Sequence, residues 1–251
     1  MTDARVAALP SPRVPADRYV LSFLDYETSM HVGSPHLTRW RSLVRRVVGQ
    51  GKPTSQRDYA LVMAFIFVES GGRQYAISRS GCIGLMQFCD RTALREPFGS
   101  IFGAAQLRGC DCAHRRCRVH GATKRFLETT PPGLHAIVAS ELPCDVLDPR
   151  FDPERAIRAG WAYIECLGER FDYNPYLIYI GYNSGPHVAE RVWKALGGRR
   201  AKNLTAIGGV LRKSLKPNFG RAWARRRAGA LLRVHLPKVG RLYRAYLRDR
   251  E

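Results

Sequence analysis

The sequence predicts a mainly α-helical domain with at most a small β element. Three observations carry that prediction. Most segments between turn signals space their apolar residues for one helix face. Three proline-led openings, Asp152-Pro153, Asn174-Pro175 and Gly185-Pro186, place a cap-type residue before a proline suited to the first helical position. One stretch, DYALVMAFIFVES over residues 58–70, is apolar nearly all round and should be a central, buried helix.

Each element follows in order. Residues 1–17 carry Pro10, Pro12 and Pro15 without periodicity and read as a flexible N-terminal tail. Tyr19 to Met30 and His36 to Val48 have helical spacing, the second with Leu43, Val44, Val47 and Val48 on one face. Gly49, Gly51 and Pro53 stop it. The central helix ends at Gly71-Gly72. Residues 71–90 are rich in glycine and serine and should form an irregular loop or a short hairpin. Residues 104–148 read as a Cys-rich insertion containing GCDCAHRRCRVHG, TTPPG and LPCDVLD. Asp152-Pro153 opens a helix through Leu167, Asn174-Pro175 another, and Gly185-Pro186 a third to about Leu196. Residues 199–251 form a basic C-terminal segment whose last helix starts at Leu236-Pro237. Residues 18–251 are therefore expected to make one domain.

Composition bounds the function. A 251-residue chain with 45% hydrophobic residues can build one sizeable core. No apolar run approaches the ~20 residues of a membrane span. Forty-one Lys and Arg against 21 acidic residues leave a net charge of +20, which attracts polyanions of any kind. Met1 to Asp17 lacks the basic start and apolar core of a signal peptide. Seven cysteines favour an oxidising compartment, and their odd number leaves one thiol over unless chains pair.

The chemistry gathers in three segments: Glu69-Ser70-Gly71, Gly84-Leu85-Met86-Gln87 and Gly181-Tyr182-Asn183-Ser184-Gly185-Pro186. Glu69 closes a buried helix, a costly place for a carboxylate. Burial raises a carboxyl's pKa, and a neutral carboxylic acid near pH 7 can protonate a poor leaving oxygen. Lysozyme is the standard example of this tuning.

The arrangement resembles the soluble lytic transglycosylase (SLT) family, relatives of goose-type lysozyme in glycoside hydrolase family 23. That family reads E-S-x-F-(N/D)-P-x-A-x-S-x-x-G-A-x-G-L-M-Q, then T-A, and later A-Y-N-A-G-P. Glu69, Ser70, Ala76, Ser78, Gly81, Gly84, Leu85, Met86 and Gln87 fall in register without a gap, and Thr92-Ala93 follows. Phe151-Asp152-Pro153 with Gly160, then Tyr182, Asn183, Gly185 and Pro186, then Pro237-Lys238-Val239 with Tyr243 and Tyr246, extend the match over roughly residues 55–248. Departures are Gly72-Arg73-Gln74 in place of aromatic-(Asn/Asp)-Pro, Cys82 and Gly181 in place of alanines, and Phe88-Cys89-Asp90 in place of a hydrophobic run ending in proline.

The resemblance implies a lysozyme-like helical fold and a peptidoglycan-cleaving enzyme of the periplasm, cell envelope or outside. It implies one catalytic carboxylate, Glu69, acting as acid and then base, without cofactor or metal. The 2-acetamido group of the sugar assists, and the muramyl 6-hydroxyl closes a 1,6-anhydro ring. Tyr182 would bond Glu69 or hold the sugar; Ser78 and Gln87 would bond N-acetyl or hydroxyl groups. Met86 would line the cleft, and Asn183 would fix the loop or touch sugar. The bland alternatives are a packed Tyr182, a turn residue at Ser78, a backbone-satisfying Gln87 and a core Met86. Asp90, the nearest other acid in sequence, is expected to cap the helix over Arg91 to Leu94.

Rival readings are a hydrolytic muramidase, chitin oligomers as substrate, a non-catalytic glycan-binding module of a secretion or phage assembly, and a nucleic-acid-binding protein. No nucleic-acid recognition motif appears. Zinc binding by Cys110, Cys112, His114, Cys117 and His120 is weakened by the C-x-C start. Disulfides stapling the insertion, with Cys144 or Cys166 as partner, are the expected use, and Cys82 and Cys89 read as small buried residues. The Arg225-Arg226-Arg227 run reads as a solvated face or a site for anionic cell-envelope polymers.

Overall fold

A computed structural model describes residues 33–50, 55–74, 76, 78, 82–103, 149–198 and 204–249. The expected tail, the Tyr19–Met30 helix and the insertion with its Cys/His cluster lie outside the described residues.

Among the described residues the architecture is helical. The only pairing of strand type among them is an antiparallel bridge between Ile83 and Phe88. The helices are α1 (Pro35–Thr38), α2 (Arg41–Val48), α3 (Gln56–Ser70), α4 (Asp90–Ala93), α5 (Phe98–Phe102), α6 (Pro153–Arg170), α7 (Pro175–Ser184), α8 (Pro186–Ala195), α9 (Leu204–Phe219), α10 (Arg221–Ala230) and α11 (Leu236–Arg248). A 3₁₀ turn (Pro149–Phe151) precedes α6, and a π-helical segment (Leu231–His235) joins α10 to α11.

α3 is the axis of the core, as its all-round apolar character requires. Every residue from Tyr59 to Phe67 is buried. Each large side chain so buried stabilises the fold by roughly 1.5–3 kcal/mol. α11 lies along α3, with α2, α6 and α1 on its other sides. The Gln56 side chain donates to the Tyr246 and Asp249 carbonyls and fixes the start of α3 to the end of α11. α3 stops where the backbone N–H of Gly71 bonds back to the Phe67 carbonyl at 2.9 Å.

The expected caps form. Asp152 accepts from the Arg155 N–H, and Asn174 accepts from the N–H groups of Tyr176 and Leu177. The helix expected over His36 to Val48 is broken into α1 and α2. At the break, the Trp40 indole N–H and an Arg39 guanidinium N–H both reach the Gly72 carbonyl, at 2.8 and 3.0 Å. The same junction explains a departure from the family pattern. A Cβ at position 72 would lie 2.2 Å from the His36 carbonyl oxygen, so no aromatic residue fits there.

Two further expectations are corrected. Asp90 is the first helical residue of α4, whose cap position is Cys89, and its carboxylate pairs with the buried Arg150. Arg150 also donates to the Phe88 carbonyl, and Asp90 supplies a countercharge to its buried guanidinium. Cys82 and Cys89 are not separate buried thiols but a disulfide, closing the loop that carries Gly84 to Gln87. Cys166 is exposed and free, so it staples nothing.

Candidate active site

Glu69 is the penultimate residue of α3. Its residue surface is only partly covered, yet its Oε1 is sealed from solvent and has no hydrogen-bond partner among the described residues. An ionised carboxylate pays the full desolvation cost there. The negative end of the α3 dipole adds to that cost. Burial pushes the Glu69 carboxyl up from 4.5 to about 7, against smaller opposing effects from the Tyr179 hydroxyl and the Arg227 cation.

Aromatic rings build the wall beneath it. Phe65 lies one turn before Glu69 and meets Tyr179 and Tyr182 edge to face, with ring centroids 5.2 and 5.3 Å apart. Tyr182 also packs on Tyr163 and Phe88. Its hydroxyl donates to the Met86 carbonyl at 2.7 Å, not to Glu69. That bond ties α7 to the Gly84–Gln87 loop. Burial raises the Tyr182 hydroxyl well above its ordinary pKa, with the Glu69 charge acting in the same direction.

The loop itself is held from three sides. Gly84 sits at φ +80°, and a Cβ there would lie 2.0 Å from the Arg150 carbonyl oxygen. Its N–H donates to the Ala76 carbonyl at 2.8 Å. Gln87, also at positive φ, spends its side-chain N–H₂ on the carbonyls of Ala76 and Gly84. Ser78 exchanges bonds with Cys82: its N–H donates to the Cys82 carbonyl, and its Oγ accepts from the Cys82 N–H. Both polar side chains thus brace the loop. The Met86 side chain is 0% exposed and pressed on Gly160, so it packs the core and does not line the cleft. Asn183 is half-buried; its Oδ1 accepts from Ser184, and its carbonyl accepts from Arg227 at 3.1 Å.

Two groups that act on Glu69, Tyr179 and Arg227, and the His235 ring stacked on Tyr179 have no part in the site expected from the sequence, where Arg227 reads only as part of a solvated or polymer-binding run. Tyr179 is fully buried, and its hydroxyl lies 3.2 Å from the Nδ1 of His235, whose ring stacks on it. Burial, Arg227 and Lys238 together lower the His235 pKa to about 4, so the imidazole is neutral near pH 7. The phenol has one proton. If Tyr179 gives it to an ionised Glu69, His235 must carry its own proton on Nδ1 and donate it to the phenol oxygen. An i to i+3 reading of α7 could have flagged Tyr179 beside Tyr182, but nothing local marks His235 or Arg227.

A sealed carboxyl that keeps its proton up to about pH 7, against a braced Gly-Leu-Met-Gln loop and a Tyr-Asn helix end, suits proton delivery. The transglycosylase SLT domain profile matches residues 47–100 and 136–205, a span holding all three segments. The chain belongs to that family. Its helical architecture agrees with the lysozyme-like SLT fold, and membership supports a peptidoglycan-degrading, lytic-transglycosylase type of function in general. No curated protein and no solved structure matches the chain significantly. The gap between the two matched stretches overlaps the expected insertion. No helix among the described residues is long and apolar enough to cross a membrane.

Proposed function

We propose that this SLT-family chain is a peptidoglycan lytic transglycosylase. It cleaves the β-1,4 bond between MurNAc and GlcNAc and leaves a 1,6-anhydroMurNAc end. The observation that carries the reading is the Glu69 carboxyl, sealed, unpartnered at Oε1 and raised to about 7. Among the described residues no other carboxylate is one of the groups acting on its charge, and Asp90 pairs with Arg150.

In the first step neutral Glu69 gives its proton to the glycosidic oxygen as the bond from that oxygen to C1 of MurNAc breaks. The carbonyl oxygen of the sugar's 2-acetamido group closes onto C1 and holds the developing positive charge. Such substrate assistance removes the need for a second carboxylate. In the second step the Glu69 carboxylate takes the proton of the 6-hydroxyl, whose oxygen bonds C1 and expels the acetamido oxygen. Glu69 returns to its neutral form. Tyr179, by donating to the carboxylate between the two steps, would stabilise it while it waits to act as base. No metal or cofactor enters either step. Ser78, Gln87 and Asn183 shape the cleft through the loop and the helix end.

The site of action would be the periplasm, the cell envelope or the outside of the cell. Exposed Arg225 and Arg226 suit anionic envelope polymers. Digestion of purified peptidoglycan tests the reading. Products lighter by one water than the hydrolytic muropeptides are expected, and reducing-end muropeptides would instead make the enzyme a muramidase.

A further inference from the structure

Arg227 stands in a run of three arginines, yet it does not share their environment. Arg225 and Arg226 are exposed, whereas Arg227 is half-buried, with its Nε sealed and without a partner among the described residues. Its terminal N–H₂ donates to the Asn183 carbonyl at 3.1 Å. That carbonyl is one of the last of α7, whose end groups have no partner within the helix. A cation there also meets the negative end of the helix dipole. Arg227 therefore closes the C-terminus of α7, the helix that supplies Tyr179 and Tyr182 to the Glu69 wall.

Its charge reaches further. It acts on Glu69, on Tyr179 and on His235, in each case against the more positive or the less negative form. Among the described residues the groups that interact with the Glu69 carboxyl are Tyr179 and Tyr182 from α7 and Arg227 from α10, with His235 stacked on Tyr179 and Lys238 acting on His235. Arg227 is the cation among those that act directly on the carboxyl. Without it, burial would act on Glu69 with only Tyr179 in opposition, and the anion needed for the second step would be harder to form.

We propose that Arg227 is a positioning residue that seats α7, and with it Tyr179 and Tyr182, through the Asn183 carbonyl, and that its cation favours the carboxylate form of Glu69 needed for the second step. This rests on the reading of Glu69 as the catalytic acid. Its sign is fixed. Activity that needs neutral Glu69 is present at low pH and is lost as pH rises through the Glu69 pKa. The Arg227 cation favours the anion, so removing it moves that alkaline limb upward.

The test is the pH profile of kcat/KM on purified peptidoglycan for wild type, Arg227→Lys, Arg227→Met and Arg227→Gln. The neutral variants should shift the alkaline limb upward, while lysine, which keeps the charge, should hold it near wild type. The carboxyl absorption of Glu69, read by infrared difference against Glu69→Gln, should move by the same amount without any turnover. Limbs and carboxyl titrations that coincide in all four proteins overturn the proposal. So does a set in which the neutral variants merely fail to fold, which would assign Arg227 to folding alone. If wild type leaves walls untouched, the functional reading has failed, and the infrared titration still decides whether Arg227 tunes Glu69.

Discussion

Replacing Glu69 by glutamine should make the protein more stable, and only above the pH at which glutamate would ionise. The folded carboxyl sits at about 7 against an ordinary 4.5. Below 4.5 both folded and unfolded chains hold the proton, so the site costs nothing through ionisation. Between 4.5 and about 7 the unfolded chain loses its proton while the folded chain keeps it, so folded-state stability falls as pH rises. Above about 7 the whole penalty stands. At roughly 1.4 kcal/mol per pH unit this penalty is about 3 kcal/mol. Glutamine has nearly the same shape and never ionises. For a chain of this size, about 3 kcal/mol corresponds to roughly 6–12 °C in Tm. Thermal unfolding of wild type and Glu69→Gln, followed by circular dichroism from pH 4 to pH 9, measures it directly. The two curves should nearly coincide at pH 4 and separate through neutrality, with the variant the more stable. A Tm difference that is flat with pH, or a variant less stable at pH 8, would refute the argument that the carboxyl is desolvated.

Three other outcomes follow from the loop beside it. Gly84→Ala forces a Cβ into the Arg150 carbonyl at a backbone angle alanine avoids, so it should cost several kcal/mol and most wall-clearing activity; a mild effect in urea unfolding would contradict the loop geometry. Tyr182→Phe keeps the ring contacts but leaves the Met86 carbonyl without its donor, and should cost about 1–3 kcal/mol in the same measurement. Reducing the Cys82–Cys89 bridge, or changing both residues to serine, should cost roughly 2–3 kcal/mol through the freedom regained by the unfolded loop, and unchanged midpoints with and without dithiothreitol would argue against the bridge.

Much of the fold could be read along the chain because its signals are local. Asp152-Pro153 and Asn174-Pro175 announce their helices through cap chemistry that involves the next three residues, and both caps form. The apolar run of α3 could be placed in the core because no face of it tolerates water. Glu69 stood out for the same reason, as a charge at the end of a helix with no wet side. Nearly all of α9 and α10 escaped notice. α9 does carry Leu204, Ile207, Leu211 and Leu215 at helical spacing, but the strongly basic composition around them, and the small Ala224 and Ala228 of α10, mask the pattern. Arg227 reads in the sequence only as part of a solvated or polymer-binding arginine run, since the difference between it and Arg226 is one step around a helix that the sequence does not announce.

The polar motif residues were found, but their partners were not. Tyr182 was expected to bond Glu69 or hold the sugar; its hydroxyl bonds a carbonyl nearly one hundred residues earlier in the chain, a pairing that depends on how α7 lies across the Gly84–Gln87 loop. Gln87 and Ser78 turn inward because the loop's own carbonyls and N–H groups need partners in a place water does not reach. Met86 is core for a reason visible only in three dimensions: α6 offers it Gly160, where there is room for a side chain to lie. The disulfide gave no warning either, because spacing alone does not tell a bonded pair of cysteines from two buried ones.

The most direct test of Glu69 as the single acid and base is digestion of purified peptidoglycan by wild type and Glu69→Gln side by side, with the soluble products weighed by mass spectrometry. Wild type should release muropeptides one water lighter than hydrolysis gives, and the folded glutamine variant should release none. A glutamine variant that clears walls at the wild-type rate would contradict the assignment outright.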